Sequence, residues 1–175
     1  MRGIEQVWRT NLIRFCGLSA IVAGVLRGIA SFIPSTTPWI MALYFFTDVF
    51  LLVGSIGIHG VRSEEIGLTG TLGFLLQVVG AVILILRDVA VLGSGAYLVG
   101  ALMFAAGLDL LAADSWRGKR FPRWILVLWV ISTIVGPIGY FSEGLSVLFI
   151  ASGMLFGVAF AGGGITVLFS GATSS

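Results

Sequence analysis

Two ionisable residues, Arg27 and Asp48, stand inside apolar stretches of this 175-residue chain, and they are the first candidates for chemistry. A charge at a helix centre in a bilayer costs about 2.5–3.5 kcal/mol on the insertion scale, so neither side chain should face lipid. A carboxylate held there can bind a proton or a cation, with a neighbouring guanidinium tuning it. The same two residues can also form an ion pair with a purely structural role, or Arg27 can snorkel to the interface. Thr47, Gln77, Ser132 and Thr133 lie at similar depth and would line a small polar cavity. The candidate ion or substrate site is therefore Asp48, Arg27, Gln77, Thr133 and Thr47. For each Ser or Thr the alternative is a bond to its own helix backbone.

Other chemistries lack their residues. The single cysteine, Cys16, supports no internal disulfide and no thiolate metal site, and the single histidine, His59, supports no bis-histidine haem. There is no phosphate-cradling Gly-x-x-x-x-Gly-Lys-Ser/Thr loop, no His-Glu-x-x-His helix and no Gly-x-Ser-x-Gly elbow. No lysine lies inside an apolar stretch to form a Schiff base. The expectation is no cofactor, no metal and no catalytic residue, hence not an enzyme.

The elements that must position Arg27 and Asp48 are set by composition. The chain is 58% apolar and 10% charged, against about 45–50% and about 25% in soluble domains. Lipid is the solvent such a chain requires. The apolar runs read as six spans at about 12–33, 38–58, 66–86, 89–112, 122–141 and 145–169, each long enough to cross about 30 Å of hydrocarbon. The first is read as a retained span and not a signal peptide, because it is long and carries Arg27. Arg87-Asp88 marks the shortest break, a tight turn between spans three and four.

The expected fold is thus all-α, a single integral membrane domain (residues 1–175) of six transmembrane helices. Eight Lys and Arg fall on the side of the termini and of connections two and four, against Arg87 alone on the other. That asymmetry makes both termini cytoplasmic. A net charge of +2, with its basic residues beside spans, does not describe a nucleic-acid surface.

Gly17 to Leu26 matches Gly93 to Leu102 at four of ten positions, and Gly54-Ser-Ile-Gly57 parallels Gly136-Pro-Ile-Gly139. A 3+3 inverted repeat is one reading; chance in a Gly/Leu/Ala/Val alphabet is the other. The pairs Gly24-x-x-x-Gly28 and Gly153-x-x-x-Gly157, and the seven-residue series Gly93, Gly100, Gly107 and Gly73, Gly80, are seams for close helix contact. They would join spans of one chain or copies in a homo-oligomer or membrane complex. Gly162-Gly-Gly164 is expected to loosen or kink span six. Asp109 is read as near the inner end of span four, within reach of headgroups. Arg117, Lys119, Arg120 and Arg123 are expected to contact anionic lipid headgroups.

The stretches Leu43-Tyr-Phe-Phe-Thr-Asp-Val-Phe-Leu-Leu-Val-Gly-Ser-Ile-Gly57 and Gly67-Leu-Thr-Gly-Thr-Leu-Gly73 resemble uncharacterised multi-pass inner-membrane proteins of bacteria. The resemblance covers about a quarter of the chain. It implies a bacterial inner membrane and brings no activity. The sequence therefore points to a multi-pass membrane protein without catalytic machinery, an accessory or structural subunit. The alternative is a small proton- or cation-coupled transporter with Asp48 as its coupling carboxylate.

Overall fold

The computed structural model describes residues 2–60, 66–89, 91–93, 95–142 and 144–170. Six helices account for nearly all of them: α1 (Arg2–Ala30), α2 (Ile40–Gly60), α3 (Leu68–Asp88), α4 (Ala96–Gly118), α5 (Arg123–Phe141) and α6 (Ser146–Ser170). All six are long and apolar enough to cross a membrane. Only 28% to 39% of each apolar window is buried, and the outward residues are Leu, Val, Ile, Phe and Trp. Such surface is tolerable in lipid and not in water. Arg62 and Glu143, which belong to two of the connections, lie outside the described residues.

The helices form a ring in chain order, α6 closing on α1, with α2 also touching α6. Contact is closest between α3 and α4, between α1 and α6, and on the flanks of the latter pair with α2 and α5; among ring neighbours it is lighter at α2–α3 and lightest at α4–α5. The bundle is therefore a four-helix body, α2–α1–α6–α5, with an α3–α4 hairpin set against it. Trp129, Phe160, Ile58 and Val167 fill the body's core, while Leu108 and Leu111 of α4 reach it from the hairpin.

Two glycine seams explain the closest contacts. A Cβ on Gly24 would collide with the carbonyl of Gly157, and one on Gly164 with the carbonyl of Gly17. Between α3 and α4 the same reciprocity joins Gly73 with Gly107 and Gly80 with Gly100. Both seams lie within the chain, so association of copies through glycines would need another surface. Gly28 meets nothing within 4 Å, and Gly93 falls outside α4. The contacts repeat every seven residues, which keeps them on one face of each helix. In role, Gly17 and Gly24 correspond to Gly100 and Gly107, seven residues beyond the alignment read from sequence. The correspondence stops there: Gly57 packs on Cys16 of α1, whereas Gly139 packs on Phe149 of α6. The Gly162–Gly164 run leaves α6 unbroken and makes room for Trp124, Trp129 and α1.

The largest departure from the sequence reading is at Arg87-Asp88. These residues form the last turn of α3, and α4 does not begin until Ala96. The N–H groups of Val91 and Leu92 fold back onto the Leu86 carbonyl. α4 accordingly starts and ends later than the expected 89–112. Asp109 then sits at mid-span, not near an end, and Asp114 moves from loop into helix.

At the end of the bundle carrying Arg117–Arg123, Asp114 ties three elements together. Its carboxylate accepts from Arg120 Nη1 at 2.6 Å and from the Gly67 N–H at 3.3 Å. Lys119 enables the turn by taking a left-handed conformation, φ 53°, and the Arg120 N–H then bonds Ser115 O. Arg120 thus turns inward, its side chain 6% exposed, where the sequence predicts a headgroup contact. Arg117, Lys119 and Arg123 stay exposed, with Arg123 over the Trp116 ring at 5.6 Å. Breaking a buried pair from one side costs about 3 kcal/mol or more. Asp114→Asn is expected to lose stability on that scale, read as a lowered midpoint of thermal unfolding in detergent.

Candidate functional site

The site begins with the place where α3 ends. Asp88, its last residue, has a side chain only 1% exposed, and its carboxyl lies within hydrogen-bonding reach of the Asp48 carboxyl on α2. Asp48 is eight residues into α2, or about 12 Å along the helix. Hence α3 stops roughly two turns short of the level at which α2 begins, and its charged end is recessed into the bundle.

Around these two carboxyls gather the other polar groups of that half. Arg87 Nη1 donates to Asp88 Oδ1 at 2.7 Å, and its guanidinium lies over the Tyr97 ring, 5.2 Å from the centroid. Arg27, in the last turn of α1, donates through Nη2 to the Tyr97 hydroxyl at 3.4 Å. Tyr97 packs in turn against Tyr140 of α5, centroids 6.3 Å apart. Asp88 Oδ2 is buried with no donor among the described residues. Two carboxyls brought together in this way, one with an orphaned oxygen, can be reconciled by a proton or a cation shared between them.

A cavity of about 140 Å³ opens beside the cluster. It lies between the α3–α4 hairpin and the four-helix body, where contact is lightest. Arg27, Tyr44, Asp48, Arg87, Tyr97 and Tyr140 are among its polar lining residues, and Leu51, Leu84, Phe104, Phe149 and Phe156 among its apolar ones. Gly136 and Pro137 of α5 also line it. Proline has no N–H, so the Thr133 carbonyl one turn earlier has no helical donor. The Thr133 hydroxyl, on the cavity wall, has the Asp109 carboxylate oxygens of α4 at 2.9 and 3.0 Å and the Val130 carbonyl of its own helix at 2.9 Å as acceptors for its one proton. This contact bridges hairpin and body deeper in the membrane.

Of the residues singled out from sequence, Arg27, Asp48, Ser132 and Thr133 converge on the cavity, the Ser132 hydroxyl donating to its own helix at Trp129 O. Arg27 and Asp48 are not ion-paired with one another among the described residues; Tyr97 takes the first and Asp88 faces the second. Thr47 is buried, its hydroxyl donating to Leu43 O at 2.7 Å, which is the backbone role of an intramembrane threonine. Gln77 is fully buried against Gly107 in the α3–α4 seam, away from the cavity, with both carboxamide ends unpartnered among the described residues. His59 stacks on Phe74, centroids 4.1 Å apart.

Sequence reasoning does not find Asp88, Arg87, Tyr97 or Tyr44 as site residues, and it places Asp109 at the wrong depth. The signal that finds them is Gly93-Ser-Gly95, a stronger turn former than Arg87-Asp88. Moving the break there carries the charged pair into the helix. Among the described residues, no group of three or more His, Cys, Asp or Glu could hold a metal ion. No protein-family model, curated protein or solved structure matches the chain.

Proposed function

We propose that this chain is a small proton-coupled carrier of a bacterial inner membrane, with the Arg117–Arg123 end and both termini in the cytoplasm. The reading rests on one observation above all: the facing Asp48 and Asp88 carboxyls, with an orphaned oxygen between neighbours, on the edge of a cavity inside the bundle. An accessory subunit would be expected to consume its intramembrane charges in structural pairs, as Asp114 and Arg120 are consumed. Asp48 is not consumed in that way.

A proton suits the pair better than a metal cation. Two guanidinium groups beside it would repel Na⁺, and the continuous helices α2 and α3 offer no unwound carbonyls to complete a cation shell. The two glycine seams make the hairpin and the four-helix body into separate rigid units. Rocking one against the other would open the cavity to alternate sides. The Thr133–Asp109 bond would then act as the latch on one side of the cavity. Orientation follows from the Lys/Arg asymmetry across the bundle.

The test is transport by the purified chain in liposomes. An inward proton gradient is imposed, a mixed pool of small metabolites is supplied outside, and the contents are analysed by mass spectrometry. At least one solute should accumulate with the gradient and not without it. If none does, while a Na⁺ gradient or no gradient gives uptake, proton coupling is wrong. If nothing enters under any condition, the accessory-subunit reading is the better one.

A further inference from the structure

The charge of the cavity site depends on one proton. Arg27 and Arg87 bring two positive charges, and Asp48 and Asp88 bring two negative ones when both are ionised. The other titratable groups of the lining are the phenols Tyr44 on α2, Tyr97 on α4 and, behind it, Tyr140 on α5; α6 contributes none, and the Asp109 carboxyl of α4 touches the lining through the Thr133 hydroxyl, deeper in the bundle, without lining the cavity itself. With neutral phenols and both carboxyls ionised, the site sums to zero. A proton shared by Asp48 and Asp88 leaves it at plus one.

Arg27 is where that surplus is available. Among the described residues no carboxylate lies within 4.0 Å of its guanidinium, and its one hydrogen bond is the 3.4 Å contact to Tyr97. A guanidinium has five donors in a planar fork suited to an oxyanion. The rest of the lining is largely apolar, with Leu51, Phe104, Phe149 and Phe156. The volume of about 140 Å³ is close to that of an apolar protein cavity, about 150 Å³, that accepts benzene.

We propose that the cavity binds a small organic monoanion with an apolar body about the size of a benzene ring, carried together with one proton. The proposal rests on the proton-coupled reading above and names its substrate class. Arg27 holds the anionic head and the phenylalanines hold the body. The proton on the Asp48–Asp88 pair supplies the positive charge that the anion balances. The coupling is reciprocal: the proton favours the anion, and the anion favours the proton.

Binding to the purified full chain in nanodiscs, followed by calorimetry, tests this without any membrane leak. The probes are benzoate, benzenesulfonate, benzylammonium and benzyl alcohol, alike in size and different in charge. Measurements run from about pH 6 to about pH 8, where both anions stay ionised. Both anions should bind, and the cation and the alcohol at least about tenfold more weakly. Affinity for the anions should fall as pH rises, by up to about tenfold per pH unit, the limit for one proton taken up with each anion. Benzenesulfonate takes up no proton itself, so its pH dependence reports the protein.

Arg27→Gln should abolish anion binding and Arg27→Lys should retain part of it. Tighter binding of benzylammonium would overturn the anionic class and leave proton coupling standing, as the metabolite-pool experiment would then show. Anion binding that does not change with pH would overturn the one-proton link. Failure of all four probes to bind would overturn the substrate class, an outcome that the wild-type protein decides even where a variant does not fold.

Discussion

Asp48→Asn is expected to abolish accumulation driven by a proton gradient while leaving the protein at least as stable as the parent. The substitution keeps size and shape but removes the group that can gain and lose a proton. It also supplies an N–H₂ donor in the position that faces Asp88, whose buried Oδ2 has none. Satisfying a buried acceptor is worth about 1 kcal/mol, so the midpoint of thermal unfolding should stay or rise. Concentrative uptake should fall by at least about tenfold, within the range of ordinary coupling energies. Exchange of solute at equal concentrations on the two sides should persist, because asparagine resembles the protonated carboxyl. A loss of stability would make Asp48 a structural residue. Unchanged accumulation in a folded protein would remove it from the coupling site. Asp88→Asn is the less clean variant, since Arg87 would lose the negative charge of its 2.7 Å partner.

The second large effect concerns the α1–α6 seam, one helical turn from Arg27. Gly24→Leu is expected to cost about 3 kcal/mol or more, whereas Gly28→Leu should change stability by less than about 0.5 kcal/mol. At Gly24 the first added carbon would meet the Gly157 carbonyl and, at 2.8 Å, the Ala161 nitrogen. Both are backbone atoms of a continuous helix, so relief requires α6 to move as a whole. At Gly28 there is open space. The two glycines form one small-x-x-x-small pair in sequence, so equal effects of the two variants would show that the α1–α6 seam is misplaced. Thermal unfolding in detergent, with size-exclusion profiles as a check on assembly, reads the difference.

The six spans are legible in the sequence because length and apolar content determine them, and each observed helix overlaps its expected span. The boundary between spans three and four is not. Arg87-Asp88 looks like a surface turn because hydropathy treats each charge as alone. Two adjacent opposite charges can neutralise one another and enter the bundle, and only the group they meet on the neighbouring helix, Asp48, shows that they do. That single misplacement hides Asp88 and also displaces Asp109 and Asp114 from their true depths.

Arg27 and Asp48 are conspicuous because each interrupts an apolar run. Their relation is not legible, since the run says nothing about the separate partners, Tyr97 and Asp88, that each one meets. Gln77 meets Gly107, near the level of the Asp109–Thr133 contact, but it stands eleven residues, about 16 Å, from Asp88 along α3, and it faces the seam and not the cavity. Depth is written in the sequence through the 1.5 Å rise per residue, but azimuth depends on seams such as Gly73–Gly107 that only long-range packing fixes.

The recessed end of α3 also has an electrical consequence. The Asp48–Asp88 pair lies about 12 Å along α2 from its start, in a hydrocarbon layer about 30 Å thick. If the transmembrane field falls evenly, a proton arriving from the nearer face crosses about two fifths of it. At about 2.3 kcal/mol per charge per 100 mV, the voltage then contributes about 0.9 kcal/mol, or about a fivefold bias in occupancy. Membrane potential would thus load the pair even where the two compartments share the same pH.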